Sequence, residues 1–201
     1  MSIVGNMPAL LLIGPTGSGK SPLGALLEKH TGWAHFDFGH ELRAIARGAA
    51  DHDLAESEVE YITELLSNHE LFPDEEFDTV KKILESFLEK NGHAPGVILN
   101  GLPRHVGQAK DMNRMVEIKK VAVLNCTLRD ATARIARRGT SDPAVKPDDT
   151  HGAVLAKFST FAEETIPLVD HYRNSDTDII DVIVESGTTE SNIASRILEW
   201  F

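Results

Sequence analysis

Eight consecutive residues, Gly14-Pro15-Thr16-Gly17-Ser18-Gly19-Lys20-Ser21, restrict what this chain can fold into more than any other part of it. They follow an apolar run at 9–13 and open a stretch with helical spacing at Leu23, Leu26, Leu27 and His30. That is the strand, turn and helix setting in which a Gly-x-x-x-x-Gly-Lys-Ser loop binds phosphate. Gly14, Gly17 and Gly19 allow backbone conformations closed to other residues. The N–H groups of the loop, that of Ser18 among them, can then turn inward on an anion while the helix N-terminus adds partial positive charge. Lys20 adds a mobile full charge, and Ser21 offers a hydroxyl to a magnesium ion shared by the β- and γ-phosphates of a nucleoside triphosphate. Pro22 is tolerated because the first turn of a helix leaves its N–H groups unpaired.

Further short apolar runs at 34–38, 96–99, 121–126 and 179–184 read as buried strands, with amphipathic stretches between them and at the C-terminus, where Ile193, Ile197, Leu198 and Phe201 share a face. Strand alternating with helix predicts a five-stranded parallel sheet covered on both faces, with ligands beyond the carboxyl ends of the strands. A chain of 201 residues, 41% hydrophobic, is enough for one core and one domain. Two segments break the rhythm. Residues 39–72 are acidic on one side and carry Leu54, Tyr61, Ile62, Leu65 and Leu66 at helical spacing, which predicts an inserted helical flap. Residues 140–150 are rich in Pro and Asp and predict a short lid. The core is then 1–38, 73–139 and 151–201, and both inserts are expected to swing inward over it because no core position fixes them.

Bulk properties exclude several functions. A net charge of −11 argues against binding nucleic-acid polymers, which need clustered Lys and Arg. The run at 9–13 is too short for a membrane span. The single cysteine, Cys126, fits a reducing compartment, and the cytoplasm is expected. The nine histidines show no pair at metal spacing. Asp37-Phe38-Gly39 spells the magnesium tripeptide of protein kinases but lacks the catalytic loop that must accompany it, and is set aside as coincidence.

Beyond the phosphate loop, the segments resemble the adenylate kinase and nucleoside monophosphate kinase family in order and over nearly the whole chain. Gly39-His40-Glu41-Leu42-Arg43 resembles a segment whose arginine holds the acceptor's phosphate. Asn100-Gly101-Leu102-Pro103-Arg104, with Gln108 downstream, resembles Asp-Gly-Phe-Pro-Arg and its glutamine. Arg134 and Arg138 fall on the donor-side arginines, Lys146 ends the lid, and Lys157 falls on a further phosphate-binding position. Phe38, Leu71 and Phe72 match segments passing the acceptor base, and Gly187 and Thr189 the turn beside the donor base.

The resemblance implies a P-loop NTPase-like three-layer α/β/α fold, with a flap for the acceptor and a short lid. It implies a monomeric kinase that moves the γ-phosphoryl group of ATP, with Mg2+, to a nucleoside monophosphate. AMP is the first candidate because Gln108 is kept. Lys20, Arg104, Arg138, Lys146 and Lys157 inherit catalytic roles; Arg43, Gly101, Arg104 and Gln108 bind the acceptor. Ser21 meets the metal, with Asn100 behind its waters. The chain departs from the pattern where His40 and Asn100 replace two aspartates that position the metal's waters, and where Lys146 and Lys157 replace arginines. Phe38 replaces a small hydroxyl residue. These departures keep two alternatives open: a kinase for another small phosphorylated metabolite, and a nucleotide-binding protein with reduced catalysis.

Overall fold

Alternation along the first strand sets the architecture. In the computed structural model, which describes residues 7–50, 52–68, 70, 72–73, 76–137 and 151–201, β1 (Met7–Ile13) sends its side chains to both faces. Ala9, Leu11 and Ile13 enter one core cluster, and Leu10 and Leu12 the other. A strand buried on both sides belongs inside a covered sheet. The other strands are β2 (Ala34–Asp37), β3 (Val97–Asn100), β4 (Val116–Cys126) and β5 (Asp178–Val184), in the order β2-β3-β1-β4-β5. Every pairing is parallel, and Asn100 lies level with both Leu12 and Asp37. The turns after β1, β2 and β3 therefore leave the sheet along one edge.

Helices α1 (Lys20–Thr31) and α9 (Glu190–Leu198) cover one face through Leu23, Leu27, Ile193 and Ile197. The other face is covered by α2 (Phe38–Ala46), α3 (Glu56–Asn68), α4 (Phe77–Lys90), α5 (Val106–Met112) and α8 (Ile166–Arg173). Helices α6 (Leu128–Arg137) and α7 (His151–Thr160) lie between β4 and β5 in sequence, with a π-helical turn, Phe161–Thr165, joining α7 to α8. The expected α/β/α layering and five parallel strands are present.

Three local readings change. The strand expected at 121–126 starts earlier, because Val116 and Ile118 are buried in alternation with exposed Glu117 and Lys119. The strand expected at 34–38 ends one residue sooner: the Asp37 carboxylate accepts the His40 N–H at 3.0 Å and caps α2, so Phe38 becomes helical. The segment 39–72 does hold core positions, since Leu42, Ile45, Ile62, Leu65 and Phe72 join the larger cluster. Burying such side chains is worth about 1.5–3 kcal/mol each, so any movement there is that of a packed element. Glu58 of α3 also accepts from Thr79 at 2.9 Å and Lys82 at 3.0 Å of α4.

His35 on β2 gives the fold a pH dependence. Its Nε2 is buried with no hydrogen-bond partner among the described residues. Burial pushes the imidazole below its ordinary value, against the raising pull of Asp37 and Glu28 and with a smaller push from His40. The unfolded chain then binds this proton more readily, so stability is complete above pH ~6.5 and falls as pH drops through that value. The urea midpoint should be lower at pH 5.5 than at 7.5, and His35→Gln should reduce that difference. An undiminished difference in the variant would assign the loss to other groups.

Candidate functional site

The turn after β1 has the geometry of an anion cradle. Gly17 and Gly19 have φ of 77° and 95°, a region costly for any residue with a Cβ. Space demands glycine there as well: a Cβ would lie 2.9 Å from the Ala131 carbonyl at Gly17, and 2.8 Å from the Arg134 guanidinium at Gly19. As N-cap of α1, Gly19 offers no side-chain acceptor, and the first turn holds no acid. The helix's leading N–H groups therefore face the loop. Ser18 is buried, its Oγ donating to the Pro15 carbonyl at 2.8 Å, so the side chain braces the loop from within. The Lys20 ammonium lies back over the turn, donating to the carbonyls of Gly14 at 2.5 Å and Pro15 at 3.0 Å.

Beside this loop opens a cavity of about 170 Å³ whose lining includes Lys20, Arg43, Arg104 and Lys157. These cations come from α1, α2, the turn after β3 and α7. Two carboxylates, Asp37 and Glu70, share the lining. In a protein of net charge −11 the cavity still carries an excess of cations. The Arg104 Nε donates to the Gly101 carbonyl at 3.0 Å, and burial lowers the basicity of its guanidinium, a trend Asp37 opposes and Arg43 reinforces. An arginine so placed remains charged. Thr160, Phe161 and Thr165, around the π-helical turn, complete that wall. A wide turn of this kind often marks a functional site, and no pattern in the sequence announces it.

Asn100, 3% exposed, ties the loop to the next strand. Its Nδ2 donates to Ser21 Oγ at 3.2 Å and to Asp37 Oδ2 at 2.8 Å. Asp37 is the site residue that the sequence reading passed over by setting its tripeptide aside. Its position at the end of a strand, beside Asn100 at the end of the next, was the signal that could have found it.

The far end of the cavity is narrow. Phe38 and Phe72 pack with ring centroids 5.8 Å apart, and Tyr61 meets Phe72 edge-on at 5.8 Å. A hole of about 30 Å³ remains among Phe38, Glu70, Phe72, Gly101, Arg104 and Gln108, the volume of roughly one water. Gln108, 2% exposed, accepts from the Arg104 N–H at 2.9 Å and donates to the Phe72 carbonyl at 2.9 Å. Both ends of the amide expected to read a base are thus engaged with backbone. Leu71 lies outside the described residues.

On the other side, Arg134 is not in the cavity wall. Its side chain is 6% exposed and lies behind the loop, donating to the carbonyls of Gly17 at 3.1 Å and Thr188 and pairing with Glu190 at 2.8 Å. It thus fastens the phosphate loop to the turn holding Gly187 and Thr189, where the Thr189 hydroxyl caps α9. Of the expected cations, Lys20, Arg43, Arg104 and Lys157 come together; Arg138, Lys146 and the proposed lid lie outside the described residues.

Comparison with known proteins accords with this geometry. The sequence model of the family described as "Adenylate kinase" matches residues 12–177. The adenylate kinase of Prochlorococcus marinus is 30% identical over 196 residues, covering 94% of this chain and 96% of its own length. That of Corynebacterium aurimucosum is 28% identical over 188 residues, with 90% and 93% covered, and that of Rickettsia bellii 28% over 194 residues, with 83% and 87% covered.

The Arg134 contacts generate a test. Arg134→Ala removes the donor from three carbonyls, those of Gly17, Glu185 and Thr188, and from a partly covered Glu190, at a cost of about 3 kcal/mol. Thermal unfolding should fall by about 6–12 °C, and Arg134→Lys should not recover it because an ammonium lacks the planar fork. A variant as stable as the native protein would show that these bonds are incidental.

Proposed function

Because the chain belongs to the adenylate kinase family, we propose that it transfers the γ-phosphoryl group of ATP to AMP, giving two molecules of ADP. The chain is an ATP-dependent phosphotransferase acting on nucleoside monophosphates. The observation that carries the reading is the convergence of Lys20, Arg43, Arg104 and Lys157 on one cavity beside the phosphate loop.

In this reading the loop N–H groups and Lys20 hold the β- and γ-phosphates. Arg43 and Arg104 hold the acceptor's phosphate, and Lys157 faces the group in transit. Arg138 and Lys146 join them as the lid at 140–150 closes. Phosphoryl transfer asks little covalent chemistry of a protein and much electrostatic positioning. One cation 4 Å from a phosphate charge contributes about 4 kcal/mol at an effective dielectric near 20, so removing one is felt directly in the barrier. On the donor side, Arg134 positions the turn of Gly187 and Thr189 beside the base. On the acceptor side, Phe38, Leu71, Phe72, Gly101 and Gln108 frame the other base, and a hole of about 30 Å³ admits it only as Phe38 and Phe72 part. That requirement supports a pivoting flap at 39–72.

Magnesium fits the donor set. Ser21, Asn100 and Asp37 present hard oxygen and amide groups in one hydrogen-bonded line. Among the described residues no three His, Cys, Asp or Glu cluster to hold a bare ion. That suits a metal that keeps its waters and is carried mainly by phosphates. When bound, it would offset charge on the β- and γ-oxygens. The cytoplasm is the proposed compartment because the single cysteine fits a reducing one; separately, no helix among the described residues is long and apolar enough to cross a membrane.

A coupled assay with ATP, Mg2+ and each common nucleoside monophosphate should show turnover, greatest with AMP. Lys20→Ala should lower kcat by about 10²–10³ with the fold intact. Arg43→Ala and Arg104→Ala should weaken AMP binding more than ATP binding. Silence with every acceptor, with ATP binding retained, would make the chain a nucleotide-binding protein instead.

A further inference from the structure

Asp37 stands where the resemblance assigns no role, and its surroundings give it one. Three side chains from three elements form a line: Ser21 on α1, Asn100 ending β3 and Asp37 ending β2, joined by the 3.2 Å and 2.8 Å bonds from Asn100 Nδ2. Asn100 has almost no access to solvent. Its amide has one favourable orientation there, because turning its oxygen to the carboxylate would set two acceptors face to face. Asp37 thereby holds the NH2 group on Ser21. The serine oxygen then accepts on that side, which directs its own proton and its other lone pair elsewhere.

Charge points the same way. Of the two carboxylates lining the cavity, Glu70 sits at the acceptor end with Phe38, Phe72 and Gln108. Asp37 is the one linked to the loop that receives the triphosphate. Asn100 is neutral, and His40, exposed on α2, donates its backbone N–H to the Asp37 carboxylate that caps the helix.

We propose that Asp37 is the positioning residue for the metal-bound triphosphate: through Asn100 it orients the Ser21 hydroxyl toward magnesium, and its carboxylate supplies the negative charge beside the ion's hydration shell. This rests on the reading of the loop as an ATP site. A competing role is open to the same carboxylate. The Asp37 charge also acts on Arg104, opposing the loss of basicity that burial causes there, so Asp37 could act only as counter-charge to the acceptor-side arginines.

The variants Asp37→Asn and Asp37→Asn/Asn100→Asp separate these roles. Asparagine keeps a good N-cap for α2 while removing the charge; the double variant returns the charge one strand away. Affinity for ATP is measured with Mg2+ and with a chelator, and affinity for AMP alongside, after thermal unfolding has verified each fold. In Asp37→Asn the gain in ATP affinity from Mg2+ should shrink by about 10- to 100-fold, metal-free ATP binding should persist, and the double variant should recover the gain. An unchanged gain, a loss confined to AMP affinity, or no recovery in the double variant would each overturn the proposal. A native protein that binds ATP in neither condition would instead overturn the ATP-site reading beneath it.

Discussion

The burial of β1 on both faces is the constraint on which the rest depends. An apolar strand with Leu10 and Leu12 in one cluster and Leu11 and Ile13 in the other cannot lie at an edge. Its central place, between β3 and β4, sets the turn after it at the middle of the sheet's carboxyl edge. The parallel pairing then brings the ends of β2 and β3 level with it. Gly14, Asp37 and Asn100 meet for that reason, although 63 residues separate Asp37 from Asn100 and 79 separate Asn100 from Ser21.

Charge is organised against the background of the molecule. The chain carries a net charge of −11, yet the cavity draws cations from α1, α2, the turn after β3 and α7. A mobile polyanion gains from that contrast only where water is displaced, since exposed pairs are screened within about 8–10 Å. Asp37, the carboxylate on the loop side of the cavity, accepts from the Asn100 amide and is thereby tied to the end of β3. The same economy appears behind the loop, where Arg134 is satisfied by three carbonyls and Glu190 and serves the site by holding Gly17 from below.

Sequence reasoning reached what local periodicity and loop chemistry encode: the phosphate loop, five strands, and the two basic segments around Arg43 and Arg104. It fell short where a contact joins distant positions. Gln108 carries a family's base-reading glutamine, but nothing local reveals that its amide is shared between the Arg104 N–H and the Phe72 carbonyl, 36 residues away. Arg134 reads as a donor-side cation, and its bond to Gly17, 117 residues away, makes it a brace. Asp37 was missed for a different reason. Its tripeptide spells another family's motif, while its own role depends on a strand neighbour 63 residues away. In the flap, Ile62 and Leu65 show helical spacing in the sequence, but that they enter the larger core cluster depends on the layer order, which a single stripe does not specify.

The central claim is that donor and acceptor phosphates meet in the cavity between the loop and the ends of β2 and β3. The most direct measurement is a crystal structure with a two-headed analogue, two adenosines joined through five phosphates. The account predicts that the phosphate chain crosses the cavity in contact with the loop N–H groups, Lys20, Arg43, Arg104 and Lys157, with one adenosine beside Gly187 and the other between Phe38 and Phe72. An analogue bound at the loop by one end only, with its second adenosine outside the cavity and Phe38 still packed on Phe72, would contradict it.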